Sequence, residues 1–142
     1  MKHRRTFIVV GTVVALIVVL GIVISRQLSS VGRDAVQSTD ALLARTFSQW
    51  DAQHLWDNAS PEFLSTRNLE RVKSDFVQMR TDLGEFRSAS GNPRSVFSST
   101  TGDRVELEYT CEFEKATRRL QIAVERSRSG SWRVSFIRVI RE

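Results

Sequence analysis

The side chains that could do chemistry in this chain are few, and one group of them surrounds His54. His54 lies between Trp50 and Trp56, with Asp51 and Asp57 nearby, and such a group could supply a general base with a carboxylate partner. Since the spacing assigns no particular carboxylate to His54, we interpret it as a surface residue on a helix turn. The two tryptophans have the size and helical spacing of core residues.

The second group lies on one face of a predicted strand, where Tyr109, Cys111 and Phe113 alternate with charged residues. Cys111 is the single cysteine, so it cannot form an internal disulfide, and between two aromatic residues it is expected to be an inert, buried thiol. If the domain has a ligand pocket, we expect its lining to include Trp50, Trp56, Tyr109, Cys111 and Phe113.

The opposite face of the same strand carries a row of glutamates: Glu106, Glu108, Glu112 and Glu114. Residues two apart on a strand lie ~7 Å from each other, and Arg119 is expected to face Glu112, so cross-strand ion pairs on a solvated face are favoured over a metal site. The chain has no His/Cys cluster, glycine-rich phosphate loop or nucleophile motif. We therefore predict no catalytic residue, cofactor or metal site.

These residues belong to a chain that begins with a long apolar stretch. Fourteen residues between Phe7 and Ile24 are Val, Ile, Leu or Phe, and the stretch contains no charged residue and no Pro. As a helix it would be roughly 27 Å long, close to the hydrocarbon thickness of a bilayer, and its large apolar side chains favour insertion by about 6 kcal/mol. We predict that residues 7–24 cross a lipid bilayer once.

The residues that flank this stretch predict its orientation. Lys2, Arg4 and Arg5 precede it and Arg26 alone follows closely, so residues 1–6 should remain cytoplasmic and the rest should be extracytoplasmic. The alternative is a signal peptide cleaved after Ser25. An uncleaved anchor is favoured because the apolar stretch exceeds the ~7–15 residues usual for a signal peptide.

The remainder of the chain is predicted to form a short polar linker, residues 25–33, and one extracytoplasmic domain, residues 34–142. Of the 21 basic residues, three precede the apolar stretch, so 18 basic residues are balanced by 16 acidic ones. Because these charges are scattered and nearly balanced, nucleic acid is not expected as a partner.

Helical periodicity follows the linker. The first helix has apolar residues at offsets of seven, four and three on one face: Val36, Leu43, Phe47 and Trp50. A short helix is expected around residues 55–60. A third, over 69–83, has Thr66 or Asn68 as its N-cap and Gly84 as its C-terminal stop.

After Gly84 the period changes to two, which predicts strands. The inward face should consist of Val105, Leu107, Tyr109, Cys111, Phe113, Leu120, Ile122 and Val124. A turn at Lys115-Ala116 would pair Tyr109 with Ile122. A three-residue loop at 128–130 would pair Val124 with Val134 and Ile122 with Phe136.

Two further features of the strand region are expected. Residues 136 and 137 are apolar on both faces, as in a central strand or a strand with a bulge. An earlier strand or bent pair within 85–99 should be interrupted at 91–93. The predicted class is α+β: a transmembrane helix, then helices packed on one face of a curved antiparallel sheet of about four strands.

This order of elements resembles the cystatin-like cone of the nuclear transport factor 2-like superfamily, which includes ketosteroid isomerases. The resemblance covers residues 34–140 and is carried by Phe47, Trp50-Asp51, Leu55-Trp56, Ala59 to Phe63, Leu83-Gly84, Phe86, Tyr109 to Phe113 and Ser131 to Val134. More closely, the chain is similar to small uncharacterised bacterial domains that are exported or membrane-anchored, which implies a bacterial inner membrane with the domain in the periplasm.

The resemblance implies a fold rather than an activity. Ketosteroid isomerases place a Tyr and carboxylates inside the cone, whereas the strands here offer no inward carboxylate, although Asp51, Asp57 or His54 could reach the mouth of the cone. We therefore expect a non-catalytic binding or assembly module, such as an accessory subunit of a membrane complex, with a membrane protein as partner and a homo-oligomer left open. The architecture is similar to that of the inner-membrane bridge subunit of type IV secretion systems.

Two other functions stay open at this point. The first is a binder of small hydrophobic ligands, or a ketosteroid-isomerase-like enzyme, that uses the cone as its pocket. The second is a pilin-like protein, which ranks last because the chain lacks a Gly-Phe processing site and an acidic residue early in the apolar stretch.

Overall fold

The structure, a computed structural model, describes the backbone of residues 2–140 and the side chains of residues 13–140. Four helices precede four strands: α1 (Lys2–Gln49), α2 (Ala52–Asp57), α3 (Pro61–Thr66), α4 (Leu69–Leu83), β1 (Phe86–Ser98), β2 (Gly102–Phe113), β3 (Thr117–Ser127) and β4 (Arg133–Ile140). The strands form one antiparallel sheet in the order β1-β2-β3-β4. The predicted α+β class, with helices packed on a curved four-stranded sheet, is confirmed.

Helix α1 is a single helix of 48 residues. Its large apolar side chains from Val13 to Ile24 are 48–68% exposed, and within the described part of the chain this is the one helix long and apolar enough to cross a membrane. The side chains of residues 7–12, the first part of the predicted span, lie outside the described residues.

The predicted linker, residues 25–33, is helical. The segment contains no Pro, and the hydroxyls of Ser25 and Ser29 donate to the carbonyls of Ile22 and Arg26 within the helix (3.0 and 2.9 Å). Extending an existing helix is cheaper than nucleating a new one, so a few polar residues do not interrupt it. Residues 25–33 are mostly polar or small, but α1 continues through them without a change of secondary structure.

Gly32 has a packing role in α1. A Cβ added there would lie 3.2 Å from Cγ of Pro93 and 3.4 Å from Cγ2 of Val96, so the glycine lets β1 approach the helix closely. After Gly32, the apolar face of α1 that was predicted from the sequence packs on the sheet. Leu43, Phe47 and Trp50 are buried, as predicted, and Val36 is partly buried.

The helices after α1 begin at side-chain caps. Asn68, one of the two predicted caps of α4, accepts from the backbone amides of Glu70 and Arg71 (2.9 and 3.3 Å), and Gly84 ends α4 with a φ of +75°. The sequence reasoning missed α3. Ser60 caps it by accepting from the amide of Phe63 (3.3 Å), and its first residue is proline, which is favourable at that position.

The first hairpin differs from its prediction by two residues. Tyr109 lies opposite Leu120 rather than Ile122, and Arg119 lies opposite Thr110 rather than Glu112. The turn consists of Glu114-Lys115, because the amides of these two residues donate to the carbonyls of Glu85, just after α4, and Leu83, its last residue (2.8 and 3.0 Å). A shift of two leaves every side chain on its predicted face, so the pattern could not detect it.

The second hairpin follows its prediction only near the loop. Val124 faces Val134 as expected, but a bulge then places Ile122 opposite Ile137 instead of Phe136. The extra residue is Ser135, whose buried hydroxyl donates to the carbonyl of Ala123 (3.2 Å). The apolar pair at 136–137 therefore marks a bulge on β4, an edge strand, and the central-strand alternative is wrong.

Strand β1 is continuous where an interruption was predicted. Its pairing with β2 is irregular between Pro93 and Ser95 and again between Phe86 and Ser88. Gly91 lies opposite Tyr109, and a Cβ added there would be 2.3 Å from Cζ of that ring. The glycine and proline thus bend the strand and admit the tyrosine without ending the sheet.

The inward face of the sheet is buried as predicted, and all eight residues assigned to it are at most 5% exposed. Above β1 and β2 they meet an aromatic cluster formed by Phe47, Trp50, Phe76, Phe86 and Phe113, whose ring centroids lie 5.4–6.1 Å apart. Much of the concave space between the helices and the sheet is therefore filled by the side chains of the protein itself.

Candidate functional site

The side chain of Tyr109 crosses the core and ends at α1. Its hydroxyl donates to Oδ1 of Asp40 at 2.7 Å and lies 3.1 Å from the carbonyl oxygen of Val36. Burial, followed by the hydrogen bond to Asp40, raises the pKa of Tyr109 well above its usual value. The phenol therefore stays protonated at physiological pH and acts as a donor that ties α1 to the sheet.

Asp40 is the carboxylate that sequence reasoning missed. The inward strand residues indeed include none, but Asp40 reaches the tyrosine from α1. It lies four residues after Val36 and three before Leu43, so it falls on the same helical stripe, and that spacing was the available signal. Asp40 is itself exposed, so this Tyr–Asp pair stands at the edge of the core rather than in an enclosed pocket.

Cys111 is fully buried on the same strand. Burial raises the pKa of its thiol to about 12, so the nucleophilic thiolate is scarce at neutral pH. The geometry agrees with an inert core thiol.

Trp50 and Phe113 meet inside the aromatic cluster, with ring centroids 5.6 Å apart. Trp50 has a φ of +52° at the end of α1, where the chain turns into α2. Its indole nitrogen and the hydroxyl of Thr46, one helical turn earlier, are buried without a hydrogen-bond partner among the described residues. Trp50 also borders a cleft of about 290 Å³ that includes Lys73 and Arg80.

Trp56 lies away from that cluster. It is half-buried, and its ring meets the ring of Phe63 edge to face at 6.4 Å. The structure thus brings Trp50 and Phe113 together and places Tyr109 and Cys111 on the strand beside them, with Trp56 apart.

The two carboxylates near His54 are engaged in the local structure of α2. The carboxylate of Asp51 caps α2 by accepting from the backbone amide of His54 (3.0 Å), and Asp57 accepts from the side chain of Gln53 (2.9 Å). Both carboxylates therefore serve local helix structure. The imidazole of His54 borders a cleft of about 270 Å³ with Arg45 and Arg133.

A small apolar cavity lies between the helices and the β3–β4 half of the sheet. Its volume is about 140 Å³, and its lining includes Phe47, Leu55, Phe63, Val72, Phe76, Met79, Leu120, Ile137 and Val139, together with Arg67 and Asp75. None of the five residues proposed from the sequence as pocket-lining borders this cavity. Their role as ligand contacts stays a prediction.

The glutamate row on the outer face is engaged by cross-strand partners. Glu108 contacts Arg94 (3.3 Å) and Arg119, and the hydrogen bond from Arg119 lowers the pKa of Glu108. Arg119 thus pairs with Glu108 instead of the predicted Glu112, a result of the two-residue shift. Among the residues that the structure describes, no group of three or more His, Cys, Asp or Glu side chains could hold a metal ion.

No protein-family model and no curated protein matches the sequence. Among solved structures, the designed protein "Rd1NTF2_05 with long sheet" is similar with a TM-score of 0.52, 13% identity and coverage of 72% of this chain and 93% of its own. A five-substitution variant of Rd1NTF2_05 has a TM-score of 0.50 at 14% identity, covering 76% of this chain and 98% of its own. A conserved protein from Planctomyces limnophilus is similar at 0.43 and 16% identity, covering 75% and 95%, too low a score to support an argument.

The first two similarities, together with the curved sheet and the helices that close over it, show the fold of the nuclear transport factor 2-like superfamily. The resemblance inferred from the sequence is confirmed at the level of fold. At such low identity the similarity carries no activity to this chain.

Proposed function

We propose that this protein is a membrane-anchored, non-catalytic binding or assembly module. In this proposal the first half of α1 crosses a bacterial inner membrane, and the domain acts at its outer face as an accessory subunit or assembly factor of a membrane complex. The observation that supports it best is the division of α1 into two halves. Val13 to Ile24 are exposed and apolar, whereas Leu43, Phe47 and Trp50 belong to the core of the domain.

The interior of the domain supports the non-catalytic part of the proposal. Several of the groups that could do acid–base chemistry are engaged in structure: Tyr109 with Asp40, Asp51 at the cap of α2, and Cys111 in the core. A catalytic acid or base must reach a bound substrate within hydrogen-bond distance. The aromatic cluster fills part of the concave space between the helices and the sheet.

The test is isolation of the tagged full-length protein from native membranes in mild detergent. The proposal expects a defined membrane complex at stoichiometric yield. The matched control keeps residues 25–142 and replaces the apolar half of α1 with an unrelated single-span helix of equal length. If the control retains the complex, the domain holds the partner; if it loses the complex, the apolar helix does. Recovery of the full-length protein alone would contradict the proposal.

A binder of small hydrophobic molecules is the second candidate, because the cavity beside Phe63 and Met79 is apolar and has Arg67 and Asp75 in its lining. Its volume of about 140 Å³ is below the ~300–1,000 Å³ usual for ligand pockets, which ranks this function lower. Mass spectrometry of the purified full-length protein would detect a retained small molecule. Met79→Trp, which fills the cavity, should abolish retention if the cavity is the site.

A further inference from the structure

The strands of the domain have a defined direction relative to α1. Phe86, at the start of β1, contacts Phe47 with ring centroids 5.9 Å apart. Near the end of β1, Pro93 and Val96 pack on Gly32. The position contacted on α1 thus falls from 47 to 32 as β1 advances, so β1 runs back towards the apolar half of the helix.

This direction brings the β1–β2 turn, residues 99–101, close to the level where the apolar half ends. Gly32 lies eight residues after Ile24, which is roughly 12 Å along the helix. The four residues from Val96 to Thr100 extend roughly 9 Å along the helix axis once the inclination of the strand is included. The turn therefore lies within a few Å of the level of Ile24, a distance that fits in the ~5–7 Å headgroup layer of a bilayer.

The turn is held to the neighbouring loop by Arg128. Its guanidinium donates to the carbonyls of Ser99 (2.5 Å) and Thr100 (3.3 Å), and its amide donates to the carbonyl of Thr101 (3.3 Å). The β1–β2 turn and the β3–β4 loop therefore form one surface, which we call the proximal end. Its position relative to α1 is fixed by Arg126, which contacts both Asp34 and Asp103.

The part of α1 next to the proximal end carries basic charge that the protein does not neutralise. Within the described part of the chain, Arg26 and Arg33 have no carboxylate within 4 Å, whereas Arg126 has two. The guanidinium of Arg128 is engaged by the carbonyls of the turn. Phe97, next to the turn, is 59% exposed; outside the apolar half of α1, the other large apolar side chain exposed to this degree is Val77 on α4.

From these observations we propose that the proximal end lies on the phospholipid headgroups of the leaflet from which α1 emerges, with Phe97 at the interface and with Arg26 and Arg33 favouring anionic lipids. The occupant is a lipid surface because the chain's own helix holds the proximal end at headgroup height. An exposed aromatic ring near the turn, together with two unpaired arginines on the adjacent part of α1, is suited to that layer. This inference rests on the proposed membrane anchoring.

The test uses the full-length protein in vesicles of phosphatidylcholine with or without phosphatidylglycerol. An NBD fluorophore is attached at Thr100→Cys, and the quencher is a spin label on the lipid headgroup. Ser74→Cys on α4 is the matched control site, because neighbouring Phe76 contacts Trp50, roughly 27 Å further along α1 than Gly32. Cys111 is buried and stays unlabelled.

The proposal expects quenching at position 100 and none at position 74. Phosphatidylglycerol should deepen the quenching at 100. Removing the charges with Arg26→Gln and Arg33→Gln should lower the ratio of docked to undocked protein by about fivefold per arginine in those vesicles. Salt should have the same effect, since the Debye length falls from ~10 Å at 0.1 M to ~3 Å at 1 M.

A second pair of variants tests whether the quenching depends on Phe97 in particular or on any exposed apolar side chain. Phe97→Ser should reduce the quenching at position 100, whereas Val77→Ser, which removes an equally exposed apolar side chain from α4, should leave it unchanged. Both side chains are exposed, so neither change should unfold the domain.

Vesicle flotation after an alkaline wash separates failure of this inference from failure of the proposed function. Protein that does not float would overturn the membrane anchoring and the docking together. Protein that floats, but whose label at 100 is no more quenched than the label at 74, would overturn the docking alone. A label that is shielded in native membranes but unquenched in pure lipid would assign the proximal end to a protein partner, which also overturns the inference.

Discussion

Two threonines on the buried face of α1 provide a matched test of the packing. Thr39 and Thr46 are 1% and 0% exposed. The hydroxyl of Thr39 donates to the carbonyl of Ala35 at 2.8 Å, whereas the hydroxyl of Thr46 has no partner among the described residues. Replacement of each by valine, which has the same shape and nearly the same helix propensity, should therefore change stability in opposite directions.

The magnitudes follow from the two environments. A buried hydroxyl without a hydrogen bond costs about 1–3 kcal/mol, so Thr46→Val should raise the free energy of unfolding by about 1–2 kcal/mol. Thr39→Val removes a hydrogen bond whose net contribution is about 1 kcal/mol, partly offset by the added methyl group, so it should lower the free energy of unfolding by up to that amount. The two variants should differ in Tm by roughly 4–10 °C.

The assay is urea unfolding of the full-length protein in detergent, followed by tryptophan fluorescence. The midpoint should rise for Thr46→Val and fall for Thr39→Val, with an unchanged slope. If Thr46→Val destabilises the protein as much as Thr39→Val does, the hydroxyl of Thr46 is satisfied in solution, and the reasoning from its unpaired state is refuted.

Three further predictions concern the sheet. Gly91→Ala should lower the free energy of unfolding by about 1–3 kcal/mol, because its Cβ would collide with the ring of Tyr109; an unchanged urea midpoint would refute the close approach. Cys111 should react with a thiol reagent only after denaturant is added, and fast labelling of the native protein at pH 8 would contradict its burial. A hydrogen bond from Ser98, and then the contact with Arg126, lower the pKa of Asp103, so its carboxylate stabilises the fold above the unfolded pKa of about 3.9, and this contribution is lost as pH falls through the depressed folded value. Asp103→Asn should thus be less stable than the wild type at pH 7 and converge with it in acid; a difference independent of pH would contradict this assignment.

Local chemistry predicted much of the fold from the sequence. The α4 boundaries followed from a helical stripe with Asn68 before it and Gly84 after it, and the inward face of β2 and β3 followed from strict alternation. Such features depend on neighbours within a few residues, which a single sequence displays directly.

The errors arose where distant parts of the chain decide the local structure. The turn at Glu114-Lys115 is fixed by carbonyls at Leu83 and Glu85, and nothing within the hairpin itself distinguishes the two registers. For residues 25–33 the deciding neighbours are nearer: the helical segments of α1 on either side favour continuation of the helix. The Tyr109–Asp40 pair joins residues 69 positions apart. The one indication of it in the sequence is that Asp40 lies on the helical stripe of α1.

The unbroken helix through residues 25–33 has a mechanical consequence. Because the helix is continuous between the apolar half and the domain, the number of residues between them determines how the domain is rotated about the helix axis. One alanine inserted at this segment would turn the domain by about 100° and lift it by about 1.5 Å, whereas seven would restore nearly the original heading some 10 Å higher. The number of residues in this segment therefore determines the direction in which each side of the domain faces relative to the apolar half of α1.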